Sequence, residues 1–203
     1  FSSLGTKVTV VYRGQMLIKE EDTEVAEAFT KIVQKKYNVM LNTNPISFSQ
    51  KGNRIIAELE QKGKKKTIDA NILLMATGRV PNTDILAVEK TGVEINKAGF
   101  VEVNEYMETN VSGIWAIGDI VGKYALKHSA NLEAVYAGHN AFVKNEKEKV
   151  KIDYQAMPHA IFSSPQVASV GFTEQELQEK KIKYSKGVYN YHNTAMGTAI
   201  EDK

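Results

Sequence analysis

Two hydrophobic rhythms alternate along the chain. A β-branched run at 7–11 (KVTVV) predicts a short strand. The preceding FSSLGT predicts the last turn of a helix, with Gly5 as its stop. Asp22 offers an N-cap, and Val25, Ala26, Phe29, Ile32 and Val33 recur at helical spacing, which predicts an amphipathic helix over 23–36. Residues 37–41 predict a second strand, so the opening has β-α-β order, the later part of a doubly wound unit. Short strands at 46–49, 55–60 and 67–69, with turns at Lys51-Gly52-Asn53 and around Gly63, predict a small antiparallel meander. An apolar run at 72–75 predicts a buried strand broken by Ala76-Thr77-Gly78, and 93–103 predicts two short strands. Ile114, Trp115, Ala116 and Ile117 do not alternate with polar residues, as in a strand covered on both faces. Residues 127–144 predict a helix whose smooth face is Ala130, Ala134, Ala137, Gly138 and Ala141. A charged linker at 145–151 follows. Beyond it the pattern predicts strands at 160–162, 168–172 and near 184–189, and a helix over 174–180 capped by Thr173.

Composition narrows the classes. The 203 residues suffice for one or two domains with a real core. A formal net charge of +2 is too small to point to a nucleic-acid or membrane partner. Lys62, Lys64, Lys65 and Lys66 read as a solvated hairpin turn. No apolar run approaches membrane-spanning length and no signal peptide is recognised, so the expected location is cytoplasmic. Cysteine is absent, which excludes a catalytic thiol and a cysteine zinc site within this chain. The start at Phe1 and the end straight after an unfinished segment point to a piece of a longer protein.

Chemistry concentrates after the apolar run that ends in Gly118-Asp119. Ligands of open α/β sheets bind at the carboxyl ends of strands, so a carboxylate there is placed to accept hydrogen bonds. Three stretches, ATGRVPNTDIL (76–86), GVEINKAGFVEVNEYMETNVSGIWAIGDIVG (92–122) and MPHAIFSSPQVASVGFTEQEL (157–177), together resemble the flavin-dependent pyridine nucleotide–disulfide oxidoreductases of the dihydrolipoamide dehydrogenase, glutathione reductase and mercuric reductase type. The resemblance covers nearly the whole chain. It implies an α/β fold in three segments: a partial NAD(P)-binding domain at 1–77, the second segment of an FAD-binding domain at 78–150, and the start of an α+β dimerisation domain at 151–203.

The resemblance also implies the roles of the site residues. Asp119 accepts from the ribityl hydroxyls of FAD, and Gly118 lets the backbone approach. The helix that starts around Ala125, Leu126, Lys127 and His128 aims its free amides at the flavin pyrimidine edge. Gly78 and Arg79 lie close to the cofactors. Where NAD enzymes carry an acid after the second strand of the nucleotide unit, this chain has Arg13, with Lys19 further on; two cations suit the 2′-phosphate of NADP better than NAD. Glu20, Glu21 and Asp22 dilute that field. No catalytic residue and no metal ligand is assigned. His128 and His139 read as helix residues, and His159 as structural.

The glycine turns of both dinucleotide units, the redox cysteine pair and the carboxyl-terminal histidine–glutamate pair of the family are not in this chain. It is therefore not expected to complete the reaction alone. In the full enzyme, the resemblance implies, a hydride passes between nicotinamide and flavin and a cysteine pair exchanges with a small-molecule or protein-bound disulfide, in a homodimer. Two alternatives stay open: a related flavoprotein NAD(P)H oxidase or peroxidase, and an inert nucleotide-binding or dimerising fragment.

Overall fold

The computed structural model describes residues 1–200; the last three residues of the expected third segment, 201–203, lie outside the described residues. A short turn at Ser2–Leu4 is closed by Gly5 at φ 88°, a left-handed value glycine adopts without strain. β1 (Thr9–Val11) pairs in parallel with β2 (Asn38–Met40), Val10 opposite Val39. Parallel neighbours need a crossover, supplied by α1 (Thr23–Lys36). The Asp22 carboxylate accepts from the Glu24 amide at 3.1 Å, satisfying one of the donors a helix start leaves free. Ala26, Phe29 and Val33 are buried as expected, whereas Val25 and Ile32 are exposed at the edges of the stripe.

The meander forms with longer strands than its apolar cores suggest: β3 (Thr43–Lys51), β4 (Arg54–Gln61) and β5 (Lys64–Ala70). Backbone pairing continues through polar positions, with Lys64 opposite Gln61. The β3–β4 register slips between Pro45 and Ser47, where proline has no N–H for the ladder. The Thr43 amide donates to the Tyr12 carbonyl at 3.1 Å, which ties the meander to the parallel pair.

Several expected strands do not form. Residues 72–75 carry no ladder, and Ile72, Leu74 and Met75 are exposed. A strand exists only with a neighbour, and among the described residues none lies beside this run. The two strands expected over 93–103 reduce to a single bridge between Ile95 and Val101. The run 114–117 is extended but paired on one side only: Trp115 bridges Glu108, and the Ala116 amide donates to the Met107 carbonyl at 3.2 Å. Its second face is open, so Ile117 is exposed rather than buried. Residues 184–189 form no ladder among the described residues and are held by side chains instead; the Tyr184 hydroxyl donates to Glu174 at 2.5 Å.

α2 (Lys127–Phe142) ends two residues before the expected boundary. Its buried face shares only Ala137 with the small-residue face. Ser129, Glu133, Ala137 and Asn140 are buried, while Ala134, Gly138 and Ala141 are exposed. A polar stripe can be buried when each member is hydrogen-bonded, and each is. Asn140, for one, donates to the Tyr106 and Val150 carbonyls and accepts from the Val150 amide. The charged linker contains one turn, Glu146–Glu148.

The β6 (Pro158–Ile161) and β7 (Val167–Val170) hairpin is antiparallel. α3 (Glu174–Glu179) opens on a capping box between Thr173 and Glu176. Val167 packs with Phe29 and Val33 in one core cluster, so the hairpin sits on α1. Val88, Val93 and Val101 centre a second cluster. An unexpected short helix, α4 (Ala195–Ala199), starts at Thr194, whose hydroxyl accepts from Gly197. No helix among the described residues is long and apolar enough to cross a membrane.

Candidate functional site

The extended run ends in a turn, Gly118–Ile120. Gly118 has φ 79°, and a Cβ there would lie 3.4 Å from the Ala130 Cβ. The backbone angle, more than crowding, requires glycine. Its buried N–H donates to Glu133 Oε2 at 2.5 Å. The turn sends the next side chain outward. Asp119 is 62% exposed, and its Oδ2 lies 3.2 Å from Nη1 of Arg79. The same nitrogen donates to the Ala125 carbonyl at 3.2 Å. Gly78 positions that arginine with φ 114°, and no other group lies within 4 Å of where its Cβ would be. An ion pair this exposed is weak, so both oxygens of Asp119 stay open to hydroxyl donors.

The start of α2 lies next to this pair. Its N-cap is Leu126, which has no capping side chain, and the first turn holds no acid. The Ser129 hydroxyl donates to the Tyr124 and Leu126 carbonyls and caps no amide. The first amides of α2 therefore have no intrahelical acceptor and lie at the positive end of the helix dipole. Lys127 is exposed there. The His128 ring approaches the Pro158 carbonyl at 2.5 Å through Nε2. A nitrogen facing a carbonyl carries its proton as donor, so this ring ties α2 to β6 rather than standing as a free base.

Arg79, Asp119 and Ala125 are thus brought together beside Leu126, Lys127 and His128. Arg13 and Lys19 lie elsewhere, after β1, and neither bonds to the Asp119 group. Arg13 is exposed and makes no ion pair among the described residues. Lys19 is 3.9 Å from Glu20, one of the acids expected to dilute its field.

Two site residues were not anticipated. Glu133 is fully buried, and beside Gly118 N it accepts from the Tyr154 hydroxyl through Oε1 at 2.9 Å. Burial, and then the neighbouring Glu133 carboxylate, push the Tyr154 phenol well above its ordinary value. The signal available for Glu133 was its place on one helix face with Ser129, Ala137 and Asn140. Tyr154 has no local signal.

A second polar cluster joins distant segments. Buried Glu21 accepts from Ser169 at 2.8 Å and meets His159 Nε2 at 2.5 Å. Ser169 lies 3.1 Å from the same ring nitrogen. Acid and hydroxyl share one nitrogen, so the ring cannot relay a proton from serine to acid. The cluster fastens the β6–β7 hairpin to the loop before α1, the structural part expected of His159.

Comparison with known proteins identifies the family. Residues 1–138 match the sequence model of the pyridine nucleotide-disulphide oxidoreductase family, and residues 157–203 match that family's dimerisation domain. Mycothione reductase of Mycobacterium tuberculosis is 37% identical over 204 residues, covering 100% of this chain and 44% of its own length. Dihydrolipoyl dehydrogenase of Bacillus subtilis is 33% identical over 184 residues, 90% of this chain and 38% of its own. The crystal structure of LpdA from M. tuberculosis superposes with a TM-score of 0.78 at 22% identity, over 89% of this chain and 38% of that one; it bears on the fold alone. The chain therefore spans less than half the length of the curated relatives it matches. Because the family match covers more than half of the chain and resumes in the dimerisation domain, the chain belongs to the pyridine nucleotide-disulphide oxidoreductases.

Proposed function

We propose that this chain is part of an FAD-dependent NAD(P)H oxidoreductase acting on a dithiol or disulfide. The observation that carries the reading is the open Asp119 carboxylate, held beside Arg79 at the uncapped start of α2. A flavin fits these residues. Asp119 supplies acceptors for the ribityl hydroxyls. The first amides of α2, after Ala125 and Leu126 and including Lys127 and His128, supply donors and a positive field for a pyrimidine edge. Gly118 sets the turn between the two groups, while Gly78 and Arg79 close the same edge. The flavin, when bound, supplies the two-electron chemistry between nicotinamide and dithiol. This chain's residues hold and orient it; none is assigned a catalytic role.

NADP is the proposed nicotinamide partner. Arg13 stands free to meet a 2′-phosphate, and Lys19 adds a second cation on the same loop. The three segments are 1–77 for the nucleotide, 78–150 for the flavin and 151–203 for the interface. The match to the dimerisation domain supports a homodimer. The proposed setting is the cytoplasm, whose thiol pools suit a dithiol enzyme.

The test is anaerobic addition of NADPH or NADH to the purified full-length gene product. A flavin absorption band that bleaches with NADPH at lower concentration than with NADH, and recovers with a disulfide, supports the reading. No flavin band overturns it. Bleaching that only oxygen or peroxide reverses replaces the disulfide with an oxidase or peroxidase reaction.

A further inference from the structure

Glu133 is a buried carboxylate with no cation bonded to it among the described residues. It is fully enclosed on the inner face of α2. A carboxylate in that position needs hydrogen bonds directed at it. It has two, and they come from different parts of the chain: the Gly118 amide at 2.5 Å and the Tyr154 hydroxyl at 2.9 Å. The tyrosine is itself held. Its ring leans on Tyr124 with centroids 5.2 Å apart, and its hydroxyl also points at Met107 Sδ at 3.7 Å. The raised phenol keeps its proton, so Tyr154 stays a donor throughout the working range.

The consequence falls on Asp119. Gly118 is the hinge of the turn that aims that carboxylate, and its left-handed φ is set with no side chain of its own to fix it. The one group that fixes the Gly118 N–H is Glu133, fifteen residues further on and inside the core. We propose that Glu133 is the positioning residue of the flavin site: its carboxylate pins the Gly118 amide and so holds Asp119 and the α2 start in one fixed relation. This rests on the reading of Asp119 as a flavin ligand. Glu133 touches no cofactor and acts through the backbone.

A double-mutant cycle on FAD affinity, read by flavin fluorescence on the full-length gene product stripped of its cofactor, tests this. Glu133→Leu keeps the volume and removes the acceptor; it is expected to weaken FAD about 10- to 100-fold, the order of one lost charged hydrogen bond. Glu133→Gln retains a carbonyl oxygen for Gly118 and is expected to recover most of that loss. In the Asp119→Ala background Glu133→Leu should cost nothing further, because its effect passes through Asp119. Additive losses, or no recovery with glutamine, make Glu133 a merely structural residue and overturn the proposal. If Asp119→Ala itself leaves FAD affinity unchanged, the reading of the site fails first. Should Glu133→Leu not fold, Glu133→Asp takes its place in the cycle; one methylene shorter, it withdraws the oxygens from Gly118 and is judged by the same additivity.

Discussion

Two glycines with nearly the same backbone angle separate the cost of strain from the cost to the site. Gly118 has φ 79° and Gly5 has φ 88°, and neither position is sterically closed to a methyl group. Around Gly5 there is nothing within 4 Å, and at Gly118 the nearest atom, the Ala130 Cβ, is 3.4 Å away. Alanine at either position carries the left-handed penalty of about 1–2 kcal/mol. That shared penalty sets the stability loss of Gly5→Ala, and Gly118→Ala should lose more because its amide also bonds the buried Glu133, each kcal/mol moving Tm by at most about 4 °C in a protein of this size or larger. Their effects on FAD should differ. Relaxing φ at Gly118 lengthens the bond to Glu133 and swings Asp119 away from the α2 start. Losing a hydrogen bond to a charged group is worth about 1.5–3 kcal/mol, so Gly118→Ala should weaken FAD by about 10- to 100-fold while Gly5→Ala leaves it unchanged. Thermal melts of the cofactor-free proteins and fluorescence titration with FAD give both numbers. Equal FAD losses in the two variants, or none in either, refute the argument that the Gly118 turn aims the flavin ligand.

Other substitutions probe the remaining claims. At Gly122 a Cβ would fall 2.5 Å from the Phe100 ring at φ 74°, so Gly122→Ala adds overpacking to strain and should destabilise by about 3 kcal/mol, read by urea unfolding. Arg13→Ala with Lys19→Ala should raise KM for NADPH and leave KM for NADH unchanged; equal changes would remove the 2′-phosphate reading. The folded-state value of Tyr154 is raised, so its contribution to stability is complete below the ordinary tyrosine value and is lost as pH rises through the folded one. Tyr154→Phe should flatten that alkaline loss of Tm, and in the parent protein one of the nine tyrosines should ionise later than the others in an absorbance titration. Asn140→Leu removes all three hydrogen bonds of a buried side chain and takes the partner from the Val150 amide, and a loss of about 2–3 kcal/mol is expected by urea unfolding.

The parts of the fold legible in the sequence are those whose cause is local. α1 runs from Thr23 to Lys36 as its apolar spacing and the Asp22 cap require, and α3 starts at Thr173 because the capping box is written within four residues. The apolar runs at 72–75 and 114–117 carry the pattern of buried strands, but a strand is not a local property. Both runs are extended or irregular here, exposed where no neighbour covers them. In α2 the smooth face of small residues does not mark what is buried. The chain buries Ser129, Glu133 and Asn140 beside Ala137, each polar member satisfied by a partner that spacing alone does not reveal.

The candidate site divides along the same line. Gly118, Asp119, Gly78 and Arg79 sit in contiguous motifs, and the structure brings Arg79 to Asp119 across forty residues of sequence. Glu133 and Tyr154 were missed because a buried acid on a helix face and a distant tyrosine gain meaning only once folding sets them against the Gly118 amide.

The central claim is that Asp119 and the turn behind it hold a flavin. Its most direct test is the visible absorption spectrum of the full-length gene product and its Asp119→Ala variant, each incubated with FAD and desalted. Retention of the flavin band by the parent and its loss from the variant is the predicted result. Equal retention by both proteins would contradict the account and move the flavin contact away from the Gly118-Asp119 turn.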